Sequence, residues 1–150
     1  MPFLCIGQYR NTFSNDSYFF ISAGADIRNA VYKGTVNERG FDGVFRFGVR
    51  KEELQVEAFY EIFNIINYKA FGANLSYVLR RDKKLTPLLG IELGMIQRPK
   101  HLYPSLAALS ELDYHFGPFF IYIKGEIKVR PDINDKIKGS VYGGLGYKFK

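Results

Sequence analysis

Phe119-Phe120-Ile121-Tyr122-Ile123-Lys124-Gly125-Glu126-Ile127-Lys128-Val129-Arg130 alternates between oily and ionic side chains. Phe119, Ile121, Ile123, Ile127 and Val129 share one parity; Tyr122, Lys124, Glu126, Lys128 and Arg130 share the other. Successive side chains of a strand point to opposite faces, so a period of two predicts a β-strand between two unlike environments.

The same period extends outward from this stretch in both directions. Segments at Tyr18–Tyr32, Phe41–Arg50, from Leu54 to about Ile62, Tyr68–Arg80, Thr86–Gln97, Ser105–Phe116 and Lys136–Phe149 complete a set of eight. Tight connections follow the second, fourth and sixth: Lys51 to Glu53, Arg81 to Lys84, and Gly117-Pro118. Mostly longer ones follow the others: Lys33 to Gly40, Asn64 to Asn67, Gln97 to Pro104, and Pro131 to Asp135. Residues 18–150 are therefore read as one all-β domain, an eight-stranded antiparallel up-and-down barrel. Residues 1–17 are read as a separate N-terminal segment, either the tail of a secretion signal or disordered chain.

Composition narrows the functional classes. At 47% hydrophobic the chain is not of the disordered class. Its 14 Phe, 11 Tyr and 15 Gly favour strands over helices. The single Cys5 excludes a disulfide framework and a Cys-based zinc site. No stretch of about 20 apolar residues is present, yet a spanning strand needs only about 9–11 residues, half of them apolar. A net charge of +6 admits nucleic acid or an anionic membrane as partner. The basic clusters Arg80, Arg81, Lys83, Lys84 and Arg98, Lys100, His101 lie at strand ends, which favours interfacial anchoring and no nucleic acid. The second of them is expected to face outward.

Alternation fits a soluble carrier with oil inside or a membrane barrel with oil outside. Charge decides for the membrane. The polar parity holds Asp26, Arg28, Arg46, Glu57, Glu61, Glu92, Glu111, Asp113, Lys124, Glu126, Lys128 and Lys138, with opposite signs on neighbouring strands. Arg46 is expected beside Glu57 and Glu61, and Lys124 and Lys128 beside Glu111 and Asp113. Such balance suits a confined lumen, where an unpaired charge is costly. The apolar parity carries almost no charge within the spans beyond Lys69. One Lys or Arg at a bilayer midplane costs about 2–4 kcal/mol, so lipid demands that clearance. Phe19, Tyr77, Tyr114, Phe116, Phe119, Tyr147 and Phe149 gather toward the tight-turn end, with Phe41, Phe45, Tyr60 and Phe71 toward the other, as two aromatic girdles would.

In strand number, loop asymmetry and the terminal Gly143-Gly144-Leu145-Gly146-Tyr147-Lys148-Phe149-Lys150, residues 18–150 resemble the small eight-stranded outer-membrane barrels: the OmpX-like proteins and the transmembrane part of OmpA. The resemblance implies a Gram-negative outer membrane as location, outer-membrane lipid and lipopolysaccharide as surroundings, and insertion by the barrel-assembly machinery. Eight strands enclose room for side chains only, so the lumen is expected to be plugged by the charged set with Phe20, Phe59, Phe120, Tyr122 and Tyr142. The expected role is structural or adhesive, with external loops meeting an extracellular ligand. No catalytic, metal or cofactor residues are expected. His115 and His101 lie apart without Cys support, and no carboxylate neighbours His101 in sequence to orient it toward Ser105. The competing readings are a lipocalin-like soluble carrier of an apolar ligand, whose Gly-x-Trp signature is absent from a chain without Trp, and a lipid A-modifying barrel enzyme.

Overall fold

The computed structural model describes residues 17–27, 42–63, 67–80, 84–134 and 136–149. All of the expected N-terminal segment except Ser17, together with Arg28, Phe41, Arg81 and Lys83, lies outside the described residues. Eight strands follow in order: β1 (Tyr18–Asp26), β2 (Asp42–Lys51), β3 (Leu54–Phe63), β4 (Tyr68–Val78), β5 (Leu85–Gln97), β6 (Leu102–Phe116), β7 (Phe119–Val129) and β8 (Ile137–Phe149). Each pairs antiparallel with the next, and β8 returns to β1 to close the barrel. Closure leaves no free sheet edge, which a strand protein needs where no water is present to satisfy its backbone.

One connection departs from expectation. β6 starts at Leu102, not Ser105, and Gln97 already pairs with Leu102. Arg98 and His101 bond each other through both backbone groups, at 2.9 and 3.3 Å, around Pro99-Lys100. The predicted long loop from Gln97 to Pro104 is thus a tight hairpin. Pro104 cannot donate to a ladder. Here β6 has outrun β7, whose pairing stops at Leu106–Val129, so there is no ladder on that side to interrupt. Pro87 is accommodated likewise, one step beyond the last β4–β5 pair, Val78–Leu88. At the tight-turn end Gly117 takes φ +62° ahead of Pro118, the backbone that a two-residue hairpin requires.

Large rings inside so narrow a barrel need places where no side chain competes. Phe20, Phe59, Phe120 and Tyr122 are all buried in the interior. A Cβ on Gly144 would run into the Ala23 carbonyl oxygen and stand 2.6 Å from Cζ of Tyr122. A Cβ on Gly72 would strike the Leu93 carbonyl and lie 2.9 Å from the Phe59 ring. Outside, at the tight-turn end, rings stack into a continuous arc: Phe47, Phe19, Phe149, Tyr147, Phe119, Phe116 and Tyr114, with successive centroids 5.2–6.5 Å apart. The arc runs from β2 through the β1–β8 seam to β6. Tyr77 stands apart from it on β4 and donates to Glu53 at 3.1 Å.

Interior and outward-facing glycines should therefore respond oppositely to the same change. Gly144→Ala should lower stability in detergent by about 1–3 kcal/mol, as overpacking does. Gly125→Ala, whose new methyl would stand 3.5 Å from Ser110 Oγ, should be neutral or raise stability by up to about 1 kcal/mol. Urea unfolding midpoints of the two variants measure the contrast.

Candidate functional site

The parity that carries oil faces outward. Leu93 is 60% exposed and Ile123 54%, while Lys124 is 2% exposed and Glu111 5%. This arrangement is the reverse of a soluble carrier, whose apolar parity would line the interior. Of the charges expected in the lumen, Asp26, Arg46, Glu57, Glu61, Glu92, Glu111, Asp113, Lys124, Glu126 and Lys128 are buried there. Lys138 is half-buried at the mouth, in register with Lys128. Arg28 lies outside the described residues.

Partners are chosen across the lumen more than along the wall. In an eight-stranded ring β2 faces β6 and β3 faces β7. Arg46 Nη1 reaches from β2 to Glu111 Oε2 on β6 at 2.5 Å and holds Glu57 at 3.3 Å. Its guanidinium lies 3.8 Å over the Tyr122 ring, and its Nε donates to Ser22 at 2.9 Å. Arg50, also on β2, meets Asp113 at 2.5 Å and donates to Gln55. Gln55 and Asn74 donate to Glu57, at 3.1 and 2.6 Å.

A second group sits closer to the long-connection end. Lys124 reaches Glu92 at 3.3 Å and Glu126 at 3.1 Å. Lys128 reaches Glu61 at 3.2 Å, Glu92 at 2.8 Å and Glu126 at 3.0 Å. Tyr142 donates to Glu61 at 2.8 Å.

The expected pairings of Glu61 with Arg46, and of Lys124 and Lys128 with Glu111 and Asp113, are therefore replaced. Glu61 serves Lys128 rather than Arg46. Lys124 turns to Glu92 and Glu126, although Glu111 is its partner in the β6–β7 register. The reason is geometric: a long side chain pointing into a narrow tube reaches the opposite wall as readily as its neighbour. Arg50, Gln55, Asn74 and Asp42 belong to the interior as well. Arg50 sat on the polar parity in sequence but at a strand end, and neutral Gln55 and Asn74 carried no charge signal.

The buried set is not balanced. Eight carboxylates (Asp26, Asp42, Glu57, Glu61, Glu92, Glu111, Asp113, Glu126) face four cations (Arg46, Arg50, Lys124, Lys128) among the described residues. Asp42 is the extreme case. Its Oδ1 is buried without a hydrogen-bond partner. It opens β2 one step beyond the Ala25–Gly43 pair, which sets it beside Asp26. Like charges directly opposite in a sheet destabilise it.

At the long-connection end a smaller cluster bridges two connections. Asp132 Oδ2 accepts from Arg98 and Arg130 at 2.8 Å each, and Oδ1 accepts from Arg130 Nε at 3.1 Å. Both guanidiniums lie over the Tyr68 ring, at 5.4 and 4.5 Å. Burial alone would raise the Asp132 pKa; the hydrogen bonds and charge of Arg130, then those of Arg98, outweigh it and hold the carboxyl below its ordinary value. Outside the barrel, a groove of about 650 Å³ crosses Ala23 and Ala58 between Phe45, Phe47, Tyr60 and Leu145. Among the described residues no group of His, Cys, Asp and Glu is arranged to hold a metal ion. His101 packs on Tyr103 at one end, while His115 lies 3.4 Å from Arg50 at the other.

Three outcomes follow from this geometry. Arg46→Met should destabilise the folded barrel by about 3–5 kcal/mol, because Glu111 and Glu57 stay buried without their cation. Asp42→Asn keeps the shape, replaces a carboxyl crowded by Asp26 with a neutral amide, and should stabilise by up to about 1 kcal/mol. Both are read from urea unfolding in detergent. The Asp132 bridge should persist at neutral pH and down past 3.8, the ordinary value of the carboxyl. Because its folded pKa is depressed, the bridge contributes fully above that value and is lost as pH falls through the lower one. NMR of the Arg98 and Arg130 Nε–H groups follows the loss.

No protein-family model matches the chain, and no curated protein matches it either. Solved structures do. The chain is similar to a neisserial surface protein, NspA, with 15% identity and a TM-score of 0.65 over 89% of this chain and 97% of that one. It is similar to the Yersinia pestis outer membrane protein Ail, determined in a phospholipid bilayer nanodisc, with 15% identity and a TM-score of 0.58 over 89% and 100% of the chains. A de novo designed protein, TMB2.3, aligns at 14% identity and a TM-score of 0.58, over 89% and 94%. Identity this low carries fold and not function: the chain has the eight-stranded architecture of the small, OmpX-like outer-membrane barrels.

Proposed function

We propose that the protein resides in the outer membrane of a Gram-negative bacterium as a barrel closed by its own side chains, with a structural or adhesive role exercised through its external connections. One observation carries the reading: among the described residues an oily wall, charged only near strand ends as at Lys51 and Lys69, faces out on all eight strands while ion pairs span the interior. Lipid is the environment that rewards both at once. Arg46, Tyr122, Phe59, Lys124 and Tyr142 occupy the middle of the lumen, which supports a plug rather than a pore. The terminal strand β8, ending Leu145-Gly146-Tyr147-Lys148-Phe149, is the segment we assign to the assembly machinery.

The reading is non-enzymatic. Ser105 faces inward and is buried, whereas His101 is exposed in the β5–β6 hairpin and stacks on Tyr103. No acid–base–nucleophile relay joins them.

The protein should fractionate with outer membranes, require detergent for extraction, and migrate differently on gels before and after boiling. Recovery in the soluble fraction without a heat-dependent shift would refute the location. In planar bilayers the wild type should give no sustained conductance, and steady channels would refute the plug. Lipid A extracted from cells with and without the protein should have the same mass spectrum; a changed acyl or phosphate pattern would make it an enzyme.

A further inference from the structure

Asp26 ends β1 and Asp42 opens β2, so their carboxyl groups stand at the root of the connection that joins these strands. One step past the Ala25–Gly43 pair the two residues are directly opposite, and both point into the lumen, 4% and 6% exposed. Residues so placed in an antiparallel pair have Cβ atoms about 4.5–5.5 Å apart, so the two carboxyl groups share one space.

What surrounds Asp42 is mostly acidic. The charges that act on it are Glu61 of β3, Asp26 of β1, and Lys128 and Glu126 of β7, and the Tyr142 hydroxyl of β8 feels it in turn. Lys128 is the cation of that set, and Glu61, Glu92 and Glu126 already hold it at 2.8–3.2 Å. Tyr142 spends its proton on Glu61 at 2.8 Å. Among the described residues no donor reaches Asp42 Oδ1, which is buried. As an anion, that oxygen would be a buried charge without a counter-ion. As an acid it is neutral and becomes a donor among the acceptor oxygens of its neighbours.

We infer that Asp42 carries a proton while the barrel is closed, and that this proton latches the ends of β1 and β2 together at the mouth. On ionisation the proton passes to solvent, an anion is left facing Asp26, Glu61 and Glu126, and the two strand ends part. Arg46–Glu111 and Arg50–Asp113, deeper in the lumen, keep their counter-ions, so the loosening stays at this end. A group that keeps its proton when closed and loses it when open favours the closed form in acid. That contribution is lost as pH rises through the titration of Asp42 in the closed barrel. The latch depends on the barrel and its lumen, whichever membrane holds them.

The test is NMR on the full chain folded in detergent micelles, with two readouts across a pH series. The first is the hydrogen-exchange protection factor of the Gly24, Ala25, Gly43 and Val44 amides, with Ile121 and Ile123 of β7 as reference. In the wild type, protection at the β1–β2 root should fall by up to about tenfold per pH unit and level off once Asp42 has ionised. Protection at Ile121 and Ile123 should not follow it. In Asp42→Asn, which cannot ionise, the slope at the root should vanish. The second readout is the side-chain carboxyl carbon of Asp42, which reports the proton directly. It should show the acid at neutral pH, and Asp26→Asn, by removing a facing carboxyl, should shift its titration to lower pH. A carboxylate signal from Asp42 at every pH, an unchanged slope in Asp42→Asn, or an equal slope at Ile121 and Ile123 would each overturn the latch. The carbon signal is read on the wild type, so it decides the matter even if a variant fails to fold.

Discussion

In so narrow a barrel an ionic side chain reaches the opposite wall, and that reach organises the buried network. Arg46 to Glu111, Arg50 to Asp113 and Lys128 to Glu61 each join walls that face one another across the lumen. Removing a cation from this carboxylate-rich set leaves its partners buried without a counter-charge. Parity along every strand follows from this, because slipping the register by one residue would carry ions into lipid and oil into the lumen. The closed ladder and the ion pairs thus enforce each other.

The second requirement is room. Rings, guanidiniums and carboxylates share an interior that eight strands barely enclose. Space comes from positions with no side chain: Gly144 beside Tyr122, and Gly72 and Gly94 beside Phe59. Glycine weakens a strand in isolation, but here it lets a neighbouring ring pack against bare backbone. The aromatic interior and the glycine content noted in the composition are one feature seen from two sides.

The fold was readable because period two is a local property. Ile121 and Lys124 declare their faces without knowledge of any other strand, and the closing strand is distinguished by its own Tyr147 and Phe149. Pairing within the lumen was less readable, because it depends on which strands stand opposite once the barrel has closed. Glu61 looked like a partner for Arg46 on the adjacent strand, yet Lys128 on the far wall holds it. Gln55 and Asn74 left no mark in a reading based on charge, although both brace Glu57. The start of β6 was also less readable: Pro104 lies within the strand because the neighbouring strand has already ended. Asp132 joined the rim only when the β5–β6 and β7–β8 connections were seen side by side.

The stacked rings along the tight-turn end cover only part of the circumference. From β2 through the seam to β6 the tight-turn margin carries a continuous run of aromatic rings, whereas β3 to β5 offer Leu54, Val56, Leu75, Leu85 and Leu89 there together with Tyr77. Tyrosine and phenylalanine resist leaving the interfacial zone in a way that aliphatic side chains do not. In the bilayer proposed above, the arc would hold the flank from β2 through the seam to β6 at the interface more firmly than the side where aliphatic chains predominate.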